Sequence, residues 1–314
     1  MAGRCSRTAG SCSRPPDAGT CRDPAGGPKR LRGRQAGAAE AIAEAFSRAG
    51  ARVLDVHSDP DHHRSVFTLA GEPGELAGAV LDGARETLSR VDLSGHSGGH
   101  PRVGALDVAP IVYLEDRARG AACAEALVLA DLLGAELELP VFLYGLLAKN
   151  RTRAELRRGG PAELQRRIEA GELAPDFGPR RLHPTAGAVL VSARAPLVAF
   201  NLELAPGASL EQAREIASVI REGGAEGIPG VRAIGLWLGE RAVAQVSTNV
   251  EEHAKVPLRR VIAAVARHAP IAATELVGLA PQAVFEGFPA DMPVRNMRTI
   301  EDALQKSGAS TKLP

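Results

Sequence analysis

The chain has 314 residues, of which 45% are hydrophobic and 3% aromatic, so its core is expected to consist mainly of aliphatic side chains. This length favours two lobes, because domains usually hold about 100–200 residues. The formal net charge of +1 argues against a general nucleic-acid binder. No membrane-spanning segment is predicted, since charged residues and a proline interrupt the most apolar stretch, 125–148.

The first residues differ in composition from the rest of the chain. Residues 1–36 are rich in Arg, Gly, Pro, Ser and Cys and contain almost no large aliphatic side chains, so we do not expect them to join a core. This segment is predicted to be disordered or to be translated from the wrong reading frame. Three of the four cysteines fall within it, which argues against a disulfide framework and favours a cytoplasmic protein.

Hydrophobic periodicity predicts alternating helices and strands in the following part of the chain. In chain order we expect a helix over 37–48, strands over 53–56 and 65–70 separated by a polar turn over 57–64, a helix over 75–91, a buried strand over 104–114, a helix over 121–133, a strand over 141–143 and a charged helical segment over 152–170.

A second α/β unit is predicted after residue 187. It should contain strands over 188–191 and 197–204, a helix that begins with a capping box at Ser209 and Gln212, a hairpin of strands over 231–238 and 242–248, a helix that starts at Pro257 and a last strand over 275–279. The fold class is therefore α/β (α+β), with two lobes that each combine helices and a mixed sheet. The expected divisions are 1–36, 37–194, 195–285 and a C-terminal extension over 286–314.

Histidines concentrate in two polar loops, which are the first candidates for chemistry. Five of the eight lie there, namely His57, His62, His63, His96 and His100. If both loops leave the same edge of a sheet, their imidazoles converge and could carry protons near neutral pH. The alternative is that surface loops simply collect polar residues.

Metal and nucleotide sites are less well supported. His96 and His100 have the four-residue spacing of zinc ligands on a helix, but the glycines between them and Pro101 argue against a helix there. We therefore expect no metal. Neither a P-loop nor a G-x-G-x-x-G turn is present in the sequence. A further polar loop over 178–187 suits either the wall of a pocket or a linker.

Seven sequence blocks, in order, resemble the formiminotransferase domain of the formiminotransferase-cyclodeaminase family. They are DPDHHRSVFTLAG (59–71), GGHPRVGALDVAP (98–110), LPVFLYG (139–145), APDFGP (174–179), LVAFNLEL (197–204), AQVSTN (244–249) and ELVGLAP (275–281). The resemblance runs from about residue 40 to 285 and does not include the cyclodeaminase domain.

The resemblance implies transfer of a formimino group from N-formimino-L-glutamate to N5 of tetrahydrofolate, a co-substrate, within histidine degradation. It also implies two lobes whose sheets pack against each other, folate in a groove between them, and a homodimer. The catalytic histidine of the family corresponds to His100. The folate-binding loop of the family corresponds to Gly178, Pro179, Arg180, Arg181, Leu182, His183, Pro184, Thr185, Ala186 and Gly187.

The residues agree with this chemistry. One imidazole with a pKa near neutrality can accept the proton of N5 and then donate it to the leaving amine. Arg64 and Arg102 are candidates for binding the substrate carboxylates, or else form ordinary surface ion pairs. Gln245, Ser247 and Asn249 alternate along a strand, so they face one side and form either a polar groove wall or an exposed sheet face.

The sequence also departs from the family pattern. The first block of the family, similar to C-V-P-N-x-S-E-G-R, is replaced by the Arg- and Pro-rich segment. Gly99 precedes His100 where Glu is common, His57 occupies a position that is often acidic, and Leu146 and Leu147 replace Glu-Ala.

Three functional alternatives stay open from the sequence. One is a formyl-transferring variant on the same scaffold. A second is a folate-binding paralogue that lacks turnover because the first strand is missing. A third is a metal hydrolase that uses the histidine loops.

Overall fold

The protein is described here by a computed structural model that covers residues 29–59, 63–95, 101–149 and 151–307, with only the backbone considered for 29–36. The expectations for residues 1–28 and for His62, His96, Gly99 and His100 lie outside the described residues. Within them, no helix is long and apolar enough to cross a membrane.

The described residues form eight α-helices and ten strands, which confirms the predicted α/β class. The helices are α1 (Lys29–Arg48), α2 (Leu76–Arg90), α3 (Arg119–Glu136), α4 (Arg153–Arg157), α5 (Gly160–Glu169), α6 (Leu210–Ile220), α7 (Leu258–Ala266) and α8 (Ile300–Lys306). The strands are β1 (Arg52–Asp59), β2 (Arg64–Ala70), β3 (Val108–Val112), β4 (Val141–Leu143), β5 (Val189–Arg194), β6 (Val198–Leu204), β7 (Val231–Leu238), β8 (Val243–Val250), β9 (Ile271–Val277) and β10 (Val294–Arg295).

The first lobe, α1 to β5, contains two sheets. β1 and β2 form an antiparallel pair, whereas β3, β5 and β4 form a parallel sheet in that order. Helix α2 joins the two parts, because Leu76 and Val80 pack against the core beneath the β1–β2 pair and also against the core of the parallel sheet. Helix α3 covers the parallel sheet with side chains such as Leu129 and Leu133, which are fully buried.

The second lobe, β6 to α8, is built on a five-stranded sheet in the order β10-β9-β6-β8-β7. Helices α6 and α7 cover one face, where alternate residues of β6, including Phe200 and Leu202, join a large aliphatic core. As predicted, Ser209 caps α6, since its hydroxyl accepts a hydrogen bond from the backbone N–H of Gln212 at 3.1 Å. The intervening residues of β6 point to the opposite face, which is polar.

Several element boundaries differ from the sequence prediction. Helix α1 begins at Lys29 rather than at Gly37. Strand β1 continues through His57 to Asp59, because it pairs with β2 along its whole length, so the predicted turn over 57–64 is too long. The charged helical segment is divided into α4 and α5 at Gly159 and Gly160, whose φ angles of +75° and +72° do not continue a right-handed helix.

Strand β3 is shorter than predicted, and the predicted last strand is not the last. β3 begins at Val108 because the carboxylate of Asp107 turns back to accept the N–H of Val103 at 2.7 Å. After β9, residues 294–295 form β10 in parallel with β9. Helix α8 follows, so the C-terminal extension adds a strand and a helix to the second lobe.

Two backbone segments of the first lobe approach too closely for side chains. A Cβ atom on Gly104 would lie 1.7 Å from the carbonyl oxygen of Ala188, and one on Gly187 would lie 2.2 Å from that of Val103. Hydrogen bonds reinforce the contact, since the N–H of Ala188 donates to the Val103 carbonyl and the N–H of Ala105 to that of Ala186, both at 2.9 Å. Glycine is required here for the backbones to meet.

We expect Gly104→Ala to lower the free energy of unfolding by about 1–3 kcal/mol or more, because the added methyl group has no space beside the Ala188 carbonyl. The matched control is Gly120→Ala on α3, where a Cβ would meet nothing within 4 Å. Urea denaturation of both variants checks this prediction. Equal stability of the two variants would contradict the close approach.

Candidate functional site

Both ends of the segment that contains His100 are attached to the loop Gly178–Gly187, here called the 178–187 loop. On one side, the N–H of Leu93 donates to the carbonyl of Thr185 at 2.8 Å. On the other side, Gly104 pairs with Gly187 in an antiparallel bridge. His100 itself lies outside the described residues, but its chain neighbours on both sides contact the same loop. Leu93 and Gly104, which flank residues 96–100 in the chain, therefore both contact the 178–187 loop.

Asp107 anchors the chain that follows this segment. One carboxylate oxygen accepts the N–H of Val103, and the other accepts the guanidinium of Arg157 on α4. The Arg157 and Asp107 side chains retain 14% and 23% of their exposure, so water screens this ion pair only partly. The pair fixes residues 103–107 against α4 and so determines where the preceding residues can lie.

The 178–187 loop is an ordered structure rather than a linker. Gly178 has a φ of +77°, and a Cβ there would lie 2.1 Å from the carbonyl oxygen of Leu139. Nδ1 of His183 accepts the N–H of Ala186 at 3.1 Å, which holds the imidazole ring against the backbone of the loop. Side chains differ in burial along the loop, because Arg180 and Arg181 are exposed whereas Ala186 is buried.

The polar face of the second lobe is buried. Gln245 is fully buried and stands opposite Glu203, while Ser247 and Asn249 are half-buried. Of the two interpretations of these alternating residues, an exposed sheet face is therefore excluded at Gln245. Neither amide atom of the Gln245 side chain has a hydrogen-bond partner among the described residues, which is costly in a buried position. The face is a polar wall that offers donors and acceptors.

Glu203 on the same face is neutralised by two arginines. Its carboxylate accepts hydrogen bonds from Arg241, which lies between β7 and β8, and from Arg295 of β10. Glu203 is 6% exposed, so its charge requires these partners. Arg295 belongs to the C-terminal extension, for which sequence analysis predicted no role.

The end of β1 meets β9 in a group of three buried side chains, His57, Asp59 and Glu275, here called the His57 cluster. One ligand atom from each lies within 4.8 Å of those of the other two. The cluster opens into a pocket of about 460 Å³ that Asn296 and Arg298 also line. It connects the two lobes, because His57 and Asp59 belong to the first lobe and Glu275 to the second.

Arg64 is close to both the His57 cluster and the ion pair of Asp107 with Arg157. It pairs with Asp59 in the register of β1 and β2. Burial lowers the pKa of its guanidinium, the charges of Asp59, Glu275 and Asp107 raise that pKa, and the charge of Arg157 lowers it. Charges from both groups therefore act on one side chain. The pocket beside the His57 cluster, which residues of both lobes line, is here called the cleft. Arg102, the second predicted carboxylate ligand, is half-buried directly after Pro101.

Sequence reasoning did not predict the contribution of the second lobe to this cleft. Glu275 was placed on a strand without a role, and Asn296 and Arg298 were part of an unassigned extension. Arg298 forms an ion pair with Asp55, whose carboxylate is fully buried. No local spacing signals such a contact, because the partners are far apart in the chain.

Comparison with known proteins identifies two family models that match most of the chain. The N-terminal subdomain of the formiminotransferase domain matches residues 30–194, and the formiminotransferase domain model matches residues 199–290. The chain is 36% identical over 248 residues to a glutamate formimidoyltransferase from Streptococcus pyogenes serotype M1, covering 76% of this chain and 82% of the relative. A glutamate formimidoyltransferase from Thermoplasma acidophilum is 32% identical over 241 residues, with 74% and 78% covered.

A longer relative matches over part of its length. The formimidoyltransferase-cyclodeaminase of Sus scrofa is 37% identical over 258 residues, which is 76% of this chain and 47% of that protein. The chain therefore spans about half the length of the formimidoyltransferase-cyclodeaminases of Sus scrofa and Mus musculus.

We expect Asp107→Ala to lower the free energy of unfolding by about 1–3 kcal/mol, because Val103 loses its hydrogen-bond acceptor and Arg157 loses its counter-ion. The control is Asp131→Ala at an exposed position of α3, which should leave stability nearly unchanged. Denaturant unfolding of both variants provides the measurement. If the two variants unfold at the same midpoint, Asp107 is not an anchor.

Proposed function

This chain belongs to the formiminotransferase family, and we propose that it transfers the formimino group of N-formimino-L-glutamate to N5 of tetrahydrofolate. The two matches to the formiminotransferase domain carry this proposal, because together they span residues 30–194 and 199–290. The relatives that are named glutamate formimidoyltransferase support the same substrate.

The proposed reaction moves one carbon unit and one proton. The lone pair of N5 attacks the amidine carbon of the donor, and a tetrahedral intermediate forms. The bond from that carbon to the nitrogen of glutamate then breaks. N5 loses its proton and the departing glutamate nitrogen gains one, so the products are 5-formiminotetrahydrofolate and L-glutamate. The balance requires a group that accepts a proton and returns it.

His100 is the group that we assign to this proton transfer. The support is its place in the block that resembles the family, together with the attachment of its chain neighbours to the 178–187 loop through Leu93 and Gly104. A neutral imidazole accepts the proton of N5, and the resulting imidazolium donates it to the glutamate nitrogen. A histidine suits both steps because its ordinary pKa is near neutral pH.

The 178–187 loop is assigned to folate, and Arg64 and Arg102 to the carboxylates of the donor. The proposal for the loop is supported by its backbone contacts with Leu93 and Gly104, which precede and follow residues 96–100 in the chain. The proposal for Arg64 is supported by its position opposite Asp59 of the His57 cluster, since a guanidinium can bind a carboxylate through two parallel hydrogen bonds. A homodimer, a cytoplasmic location and a transfer step without a metal ion stay predictions.

The direct test is an assay of the full chain with N-formimino-L-glutamate and tetrahydrofolate. We expect the wild type to form 5-formiminotetrahydrofolate. His100→Ala should reduce kcat by about 10²–10⁴-fold, because it removes the general acid and base. KM values should change little, since the variant leaves the 178–187 loop and Arg64 intact.

The matched control for this assay is His268→Ala. Nε2 of His268 lies 3.4 Å from a carboxylate oxygen of Glu226, and neither residue lines the cleft, so the removal of this imidazole should leave kcat unchanged. A wild-type chain that binds tetrahydrofolate without turnover would contradict the transferase proposal and favour the paralogue without activity. A His100→Ala variant with full activity would contradict the assignment of His100.

A further inference from the structure

The His57 cluster contains three ionisable side chains that are almost completely removed from solvent. His57 is 5% exposed, and Asp59 and Glu275 are each 6% exposed. Burial of two carboxylates and an imidazole in one place is costly unless another group compensates for the lost hydration. The transfer chemistry described above does not use these three side chains, so their burial calls for a separate explanation.

The imidazole of His57 has a nitrogen that is available to a metal ion or another ligand. Its Nε2 atom is buried and has no hydrogen-bond partner among the described residues. A neutral imidazole with a free nitrogen is the form that coordinates metal ions.

Neighbouring arginines are largely committed to other carboxylates. Arg298 pairs with Asp55, and Arg295 and Arg241 hydrogen-bond Glu203. Nε of Arg295 also lies 4.0 Å from a carboxylate oxygen of Glu275, and the charges of Asp59 and Glu275 both act on Arg64. Asp59 and Glu275 therefore place two carboxylates beside the imidazole of His57.

The carboxylate of Glu275 is also held in place. One of its oxygens accepts a hydrogen bond from the amide of Asn201 and the other from the amide of Asn296, both at 3.3 Å. Such outer hydrogen bonds orient a ligating carboxylate without using all of its lone pairs.

We propose that the His57 cluster binds one divalent transition-metal ion, with Zn²⁺ as the best match, through an imidazole nitrogen of His57 and one oxygen each of Asp59 and Glu275. Ligand atoms within 4.8 Å of one another can reach a common ion at about 2.0–2.2 Å after small side-chain movements. One nitrogen and two oxygens leave room for water as the fourth ligand, supplied from the adjoining pocket. The ion would link β1 to β9 and so hold the two lobes together.

An organic cation is the main alternative occupant. Two carboxylates attract any cation, but a neutral imidazole with an unused nitrogen adds a ligand for a metal and no charge for an organic cation. The arrangement therefore favours a metal ion.

The test uses the full chain after treatment with a chelator and its removal, so that binding is measured independently of transfer activity. Titration with Co²⁺, a spectroscopic substitute for Zn²⁺, is followed by visible absorption and calorimetry. We expect one site with nitrogen and oxygen ligands, visible as d–d bands without thiolate charge transfer. The absence of that charge transfer distinguishes this site from binding at Cys5, Cys12 or Cys21.

Two variants and one control complete the experiment. His57→Asn and the isosteric Glu275→Gln should each weaken binding by about 10–100-fold or more and abolish the rise in Tm that Zn²⁺ causes in the wild type. His268→Asn removes a histidine elsewhere and should bind as the wild type does. Circular dichroism establishes that each variant is folded.

The proposal is overturned if the wild type binds no ion, or if folded His57→Asn and Glu275→Gln bind Co²⁺ with the stoichiometry, affinity and spectrum of the wild type. A spectrum dominated by thiolate charge transfer, unchanged in both variants, would likewise overturn it. None of these outcomes depends on whether the chain is an active transferase.

Discussion

Close contact between two backbone segments, residues 103–104 and 186–188, is the constraint on which the candidate site depends. Gly104 and Gly187 allow the segments to meet without side chains between them, and hydrogen bonds join them on both sides. This contact brings the 178–187 loop beside the residues that follow His100. Asp107 and Arg157 then fix the same residues against α4. The loop assigned to folate binding and the residues that follow His100, which is assigned to proton transfer, are thereby placed together although they are far apart in the sequence.

The cleft between the lobes is polar where most interiors are aliphatic. The first lobe lines it with His57 and Asp59, and the second lobe with Glu275 and Asn296. Such groups stabilise a fold less than aliphatic side chains would, because burial removes their hydration. Their presence is explained by ligands that are themselves charged or polar. A formimino donor and a folate both meet this description, and a metal ion would compensate the carboxylates at the lobe junction.

Sequence patterns were sufficient for features that depend on neighbouring residues. The periodicity of α2, the cap at Ser209 and the extent of β4 follow from local side-chain types, and the structure agrees with them. The alternation of helix and strand patterns led to the fold class, and the ordered family blocks led to the family. Side-chain contacts across long chain distances gave no such signal. The meeting of His57 with Glu275 depends on how two lobes pack, and the shortening of β3 depends on one carboxylate that turns back to Val103.

The central claim is that folate binds between the 178–187 loop and the segment that contains His100, with N5 beside that imidazole. A crystal structure of the chain with bound tetrahydrofolate tests it most directly. The account predicts that the pterin ring contacts the 178–187 loop and that an imidazole nitrogen of His100 lies within hydrogen-bond distance of N5, at about 2.6–3.2 Å. Folate bound away from the 178–187 loop, or beside it with N5 directed away from His100, would contradict the account.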